Sequence, residues 1–359
     1  MFICTECSQH YKTFRYSCDC GGVLIYTGAD RYKWKPKEHL QGVWRYQSML
    51  PVAKSVSIGE GFTPLVKRRD TPHKNIWMKL EGDNPTNSFK DRGSTVVVSH
   101  ARNEGRRMIG VASTGNMGAS VAAYAAYGNL KAKVFVPADT PSEKLSQIKA
   151  YGPELVKVNG NFNDCVEKLK HESINKGVYM AETGLNPYYI EGEKTIAFEI
   201  YEQFGNKVPD KIVVPLGTGG LTTAIFKGFA ELKRLGITKK LPQMIGVQEK
   251  GCSPIADAWK AGTYLIKPVE KPTGIASAIL VKTPFNGKSA LQAIKLSKGK
   301  VISISTEEIK QAVHTLGKEG VFAEPAAATT AAALPYIDFS NDEKVVLIVT
   351  GSGLKQPVV

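Results

Sequence analysis

Short apolar runs recur along this chain from about residue 60 onward, separated by stretches of helical periodicity, and this alternation restricts it to an α/β architecture. The runs at 76–80, 108–112, 133–136, 155–158, 211–216, 244–248 and 345–349 are rich in Val and Ile and predict strands. They show little polar alternation, as strands of a parallel sheet covered on both faces should. Between them, Leu221, Ile225, Phe229 and Leu232 fall on one stripe of the stretch 221–236, which predicts an amphipathic crossover helix. The Ala-rich segment 326–334 predicts a close-packed helix.

A chain of 359 residues accommodates two α/β domains and a small appendage. No apolar run reaches the roughly 18 residues a membrane span needs, so no membrane partner is expected. The first residues lack the basic-then-apolar build of a secretory signal, and a cytoplasmic protein is expected. The net charge of +14 is dispersed, with Lys67-Arg68-Arg69 the longest basic run. Nucleic-acid binding requires cations clustered on one face, so the expected partner is a small anionic molecule.

Cysteines are distributed unevenly. Cys4, Cys7, Cys18 and Cys20 lie within the first 20 residues, with Gly21-Gly22 following. Residues 1–28 read as a small knuckle, in which four thiolates from two tight turns suit a structural tetrahedral zinc. The second pair has C-x-C spacing, unlike a regular ribbon, so a thiol-lined turn without metal is an equal reading.

Four segments carry chemistry, each directly after or shortly after a strand. Residues 84–93 (Asn-Pro-Thr-Asn-Ser-Phe-Lys-Asp-Arg-Gly) lead into a helix whose first turn is expected to hold Phe89 to Arg92, capped by Ser88 or Asn87. A lysine there, Lys90, sits in a positive field that disfavours its own charge, which suits an amine that attacks an aldehyde. Ser113-Thr114-Gly115-Asn116-Met117-Gly118 offers backbone N–H groups to a carboxylate at a helix mouth. Gly217-Thr218-Gly219-Gly220-Leu221 lets the backbone wrap a phosphate, yet is neither a Walker loop nor a dinucleotide fingerprint. Thr350-Gly351-Ser352-Gly353 places a hydroxyl at a strand's carboxyl end, where α/β folds bind ligands.

Taken in this order, these segments resemble the fold-type II pyridoxal 5′-phosphate (PLP) enzymes, and most closely the threonine synthases. The similarity runs from about residue 60 to the end, and includes 247–254 (Val-Gln-Glu-Lys-Gly-Cys-Ser-Pro) and 322–326 (Phe-Ala-Glu-Pro-Ala). The resemblance implies a two-domain fold with mostly parallel, three-layer sheets plus the N-terminal cysteine knuckle. It divides the chain into the knuckle at 1–28, an extension and the first part of a large PLP domain at 29–98, a small mobile domain at 99–182, and the rest of the large domain at 183–359. It also implies a cytoplasmic homodimer.

The same resemblance assigns roles. Lys90 holds PLP as a Schiff base and shuttles protons, with Phe89 packed beside it. Asn116 bonds the cofactor's 3′-oxygen, the N–H groups of Gly217, Thr218, Gly219, Gly220 and Leu221 hold its phosphate, and Thr350 faces the ring nitrogen. Ser113, Thr114, Gly115, Asn116 and Met117 are expected to bind substrate, as are Tyr189 and Lys79. The implied reaction is threonine biosynthesis by a lyase: O-phospho-L-homoserine and water give L-threonine and phosphate. Lys90 removes the α-proton and assists loss of a β-proton, phosphate leaves from Cγ, and water adds at Cβ.

The sequence departs from the family pattern at several points. Tyr189 stands where an arginine suited to the substrate phosphate is usual, Met117 where a hydroxyl residue is usual, Thr218 for asparagine and Ser352 for histidine. Lys79, Asn161 or Lys194 is then expected to supply the missing phosphate contacts. These departures keep open a related threonine or serine dehydratase, or a β-replacement enzyme resembling cysteate or cysteine synthase.

Overall fold

The computed structural model of the chain describes residues 1–28, 31–69 and 75–356. Its strands are β1 (Phe2–Cys4), β2 (His10–Tyr11), β3 (Leu24–Tyr26), β4 (Leu65–Lys67), β5 (Ile76–Leu80), β6 (Met108–Ala112), β7 (Lys131–Pro137), β8 (Glu154–Val158), β9 (Tyr179–Met180), β10 (Lys211–Pro215), β11 (Gln243–Glu249), β12 (Lys300–Ile304) and β13 (Val345–Val349). Its α-helices are α1 (Lys90–Asn103), α2 (Asn116–Tyr127), α3 (Ser146–Ala150), α4 (Phe162–Lys176), α5 (Pro187–Glu193), α6 (Thr195–Gln203), α7 (Gly220–Arg234), α8 (Pro254–Lys260), α9 (Gly287–Leu296), α10 (Thr306–Lys318) and α11 (Pro325–Ala332).

Packing divides the chain into two compact units, residues 1–61 with 84–193, and residues 62–83 with 194–359. This division differs from the expected one, because α1 packs on α2 and α5 and so places Lys90 with the smaller sheet.

The first unit holds a parallel sheet of order β8-β7-β6-β9. Strands β6, β7 and β9 are largely buried, whereas the edge strand β8 is partly exposed. Ile109, Val111, Val134 and Val136 join a core with α1 and α2, whereas Ala112 and Phe135 join another with Cys165, Val166 and Leu169 of α4. Period-two alternation thus separates two cores although these six positions are all apolar. A capping box of Asn161 and Asp164 starts α4, so Asn161 serves the helix end and not a substrate. The unit also contains the antiparallel sheet β2-β1-β3, the cysteine knuckle.

The second unit holds a six-stranded sheet of order β12-β11-β10-β13-β5-β4, parallel except for the β4–β5 edge. Helices α10 and α11 cover one core, together with Ile76, Val213, Val247, Leu347 and Val349. Helices α7 and α9 also pack on this sheet and contribute nothing to that core, which gives the three-layer arrangement. Because β10, β13 and β5 are parallel neighbours, the loops after them emerge on one edge. Among the described residues no helix is long and apolar enough to cross a membrane.

Candidate active site

Lys90 opens α1, one residue later than the sequence suggests. Phe89 occupies the N-cap position with helical φ and ψ, and no side chain caps the helix. Neither Ser88 nor Asn87 fills that role. Asn87 takes a left-handed φ of 65°, which asparagine tolerates, and the buried Ser88 hydroxyl has no partner. The Lys90 Nζ lies 4.2 Å from the centroid of the Phe89 ring and 3.2 Å from Glu193 Oε1.

Helix α5 fixes this corner by crossing α1 at two glycines. A Cβ on Gly93 would come within 2.2 Å of the Tyr189 ring, and one on Gly192 within 1.9 Å of the Arg92 carbonyl. Tyr189, fully buried, donates its hydroxyl to the Lys90 carbonyl at 2.9 Å and lies 3.1 Å from Ser94 Oγ. Its side chain is therefore a brace for the lysine's backbone and not the substrate contact expected of it.

Beneath the lysine lies a polar chain that the sequence reading did not single out. Asp91 accepts from the Thr86 N–H at 2.7 Å, the Thr86 hydroxyl at 2.5 Å and the Ser120 hydroxyl at 2.6 Å. Burial outweighs these donors and pushes its pKa up to about 6. Glu182 accepts from the Ala112 N–H, and burial pushes its pKa up to about 7, against the lowering influence of that N–H and of Lys90.

The loop after β6 keeps Ser113, Thr114 and Asn116 partly accessible and Gly115 exposed, with α2 starting at Asn116. Gly118 allows this turn, since a Cβ there would lie 2.6 Å from the Ser113 carbonyl. Met117 differs from expectation. It is buried in the core shared with α1, because the second position of α2 faces inward.

Lys79 is also corrected. Its Nζ, on a fully buried side chain, bonds the Thr63 carbonyl at 2.7 Å, Glu199 at 2.8 Å and Gln203 at 2.9 Å, which satisfies all three of its protons. Lys194 is likewise buried against Glu231 at 2.8 Å. Lys79 thus has no proton to offer a substrate phosphate, and Lys194 is 0% exposed.

In the second unit, Gly217, Thr218 and Gly219 link β10 to α7. Gly219 has a φ of 90°, and a Cβ there would lie 2.6 Å from the Asn286 carbonyl. No acceptor among the described residues takes the N–H of Gly217, Thr218, Gly219 or Leu221. Both amide atoms of Asn286 are buried and unpartnered beside this turn, where the Asn286 N–H meets the Thr218 carbonyl at 2.8 Å. Thr350 follows β13 at 4% exposure, and Gly351 lies against Glu324, whose carboxylate a Cβ would approach to 2.6 Å.

The four knuckle thiols converge. Cys4 and Cys20 Sγ are 3.6 Å apart, Cys7 Sγ lies 3.5 Å from both Cys18 and Cys20 Sγ, and all four sit within 4.8 Å of one another. Gly22 permits this, because a Cβ there would meet Cys4 Sγ at 2.6 Å.

A glycine-lined turn with N–H groups that meet no acceptor among the described residues, an amine at a helix mouth and a hydroxyl at a strand end agree with the outcome of comparison with known proteins. The pyridoxal-phosphate dependent enzyme family matches this chain over residues 56–351. The chain belongs to that family. It is 40% identical to the threonine synthase of Methanocaldococcus jannaschii over 99% of this chain and 92% of that protein. The figures are the same for the threonine synthase of Methanosarcina acetivorans, and identity is 39% over 87% of this chain and 88% of the relative for that of Mycobacterium bovis. In fold it is similar to maize serine racemase, with a TM-score of 0.69 at 22% identity, covering 81% of this chain and 88% of that one. Threonine deaminase isoform 2 from Solanum lycopersicum gives 0.64 at 23% identity over 77% and 79%. This PLP enzyme therefore has the fold-type II architecture, and pyridoxal phosphate is its cofactor.

Proposed function

We propose that this PLP enzyme is a cytoplasmic threonine synthase, converting O-phospho-L-homoserine and water to L-threonine and phosphate with Lys90 as its cofactor lysine. The observation that carries this is 40% identity to threonine synthases across 99% of the chain. Bound PLP supplies an aldehyde that joins amino groups and a conjugated ring that draws electrons from bonds at the substrate α-carbon. The chain's own residues do the rest. Lys90 moves protons at the substrate's α- and β-carbons. The unfilled N–H groups of the 217–221 turn hold the cofactor phosphate, Asn116 its 3′-oxygen, and Thr350 faces its ring nitrogen. The donors without acceptors and the absence of room for a Cβ at Gly219 support that fit. A neutral hydroxyl at Thr350 stabilises a protonated ring less than a carboxylate, which favours elimination and replacement over transamination. Ser113, Thr114 and Gly115, at the mouth of α2, bind the substrate carboxylate.

One observation favours a second reading. Tyr189 is turned onto Lys90, and Lys79 and Lys194 are consumed by Glu199 and Glu231, so none of these residues meets a substrate phosphate. A dehydratase, which acts on an unphosphorylated amino acid, has no such need. Phosphate release on adding O-phosphohomoserine supports threonine synthase. Ammonia release from threonine or serine without it supports a dehydratase, and loss of a Cβ substituent only in the presence of an added nucleophile supports a β-replacement enzyme.

For the knuckle, we propose a structural zinc held by Cys4, Cys7, Cys18 and Cys20. The Sγ separations of 3.5–3.6 Å are close to the edge of a zinc–thiolate tetrahedron, about 3.8 Å for bonds of about 2.3 Å. Metal analysis of purified protein tests it, with one zinc per chain expected. A homodimer that takes no nucleic-acid partner completes the proposal, and its mass in solution checks the first part.

A further inference from the structure

Glu193 ends α5 with its carboxylate on the Lys90 amine. The Nζ to Oε1 distance is 3.2 Å, and the Glu193 side chain is 1% exposed against 16% for Lys90. Three other titratable groups of this corner are committed elsewhere. Asp91 takes its bonds from Thr86 and Ser120, Glu182 from the Ala112 N–H, and the Tyr189 hydroxyl serves the Lys90 carbonyl. Among the described residues, Glu193 is the acid within hydrogen-bond reach of Nζ. Its position is fixed by its neighbours, since Gly192 lies too close to the Arg92 carbonyl for α5 to shift inward.

We infer that Glu193 is the counter-ion and proton acceptor of the Lys90 amine whenever that amine is not joined to the cofactor. The inference rests on Lys90 being the cofactor lysine, as proposed above. An amine that has taken a proton from a substrate carbon becomes an ammonium, which is costly to bury without a counter-charge. The Glu193 carboxylate receives a charge-assisted hydrogen bond from it. Transfer across the pair, ammonium and carboxylate giving amine and carboxylic acid, moves one proton and no electrons to any other group. It leaves Lys90 with the lone pair it needs to attack an aldehyde again. Glu193 is thus a catalytic residue that couples proton storage to recapture of the cofactor.

The test uses Glu193→Gln, which keeps shape and removes charge, with Glu193→Asp as a second variant that keeps charge at shorter reach. The full-length chain, freed of cofactor with hydroxylamine, is acetylated competitively at pH 8, and the Lys90 peptide is quantified by mass spectrometry. Without the carboxylate that engages it, the Lys90 amine is free to react, so its acetylation is expected to be several-fold faster in Glu193→Gln than in wild type, and intermediate in Glu193→Asp. If the amide variant fails to fold, the aspartate variant decides, being faster than wild type if the inference holds. Equal Lys90 acetylation in wild type and in the folded variants overturns the role of Glu193. That result is distinct from failure of the underlying assignment, in which the reduced cofactor adduct of the loaded enzyme maps to a lysine other than Lys90.

Discussion

Replacing Gly93 with alanine isolates the contact that orients the lysine. The added Cβ lands 2.2 Å from Cδ1 and Cε1 of Tyr189, where ordinary contact begins at 3.4 Å, so the ring must retreat by more than 1 Å. It has nowhere to retreat without cost, being fully buried and held at its hydroxyl by Lys90 and Ser94. Overpacking of this kind costs about 1–3 kcal/mol, and a disrupted hydroxyl bond adds about 1 kcal/mol. Gly317 provides the contrast: it lies on the exposed side of α10, and a Cβ there meets nothing within 4 Å. Alanine there is expected to stabilise by about 0.5–1 kcal/mol through helix propensity. Urea unfolding of both variants measures the two signs, and the cofactor absorbance band of Gly93→Ala is expected to shift as Lys90 moves. A neutral Gly93→Ala, or equal losses at both sites, would refute the crossing of α5 on α1 as the element that positions the lysine.

Three further outcomes are expected. Lys79→Met leaves Glu199 buried without its cation and costs about 3–5 kcal/mol in denaturant unfolding, while KM of the folded protein stays unchanged; a raised KM at native stability would return Lys79 to substrate binding. Burial raises the folded pKa of Asp91 to about 6 and of Glu182 to about 7, above their unfolded values, so the stability linked to each is complete below pH of about 4 and lost as pH rises through 6 and 7. Asp91→Asn and Glu182→Gln should each remove on the order of 3 kcal/mol of that slope between pH 4 and 7.5, and an unaltered profile counts against the burial argument. Chelation should release one zinc per chain and change the near-ultraviolet signal of the cluster around Tyr188, which packs on Phe2 and Phe14 of the knuckle at 5.8 and 5.4 Å; a chelator-insensitive signal would argue for a metal-free turn.

The strands at 76–80, 108–112 and 345–349 were legible to the residue, because buried parallel strands are continuous apolar runs bounded by turns. Strand β12 escaped notice: Lys300-Val301-Ile302-Ser303-Ile304 carries a polar residue at each of two positions and only its pairing with β11 completes it. The two-residue β9 has no period of its own to read. Local signals single out Lys90, Asn116, the glycine turn and Thr350 as candidates, since each follows a strand. They did not mark Asp91, Glu182 or Glu193, whose roles come from partners 29 to 103 residues away. Lys79 and Tyr189 misled for the same reason. A cation or hydroxyl near the motif in sequence says nothing about which buried group claims it, and Glu199 and the Lys90 carbonyl claimed these two. Met117 was misplaced because an Ala-rich helix that is apolar on every side does not reveal which positions face inward.

Everything proposed for the chemistry depends on the identity of the lysine that carries the cofactor. Sodium borohydride reduction of the cofactor-loaded protein, followed by peptide mapping, reads it directly. The account predicts a single pyridoxyl tag, on the peptide containing Lys90; a tag on another lysine, or none, would contradict it.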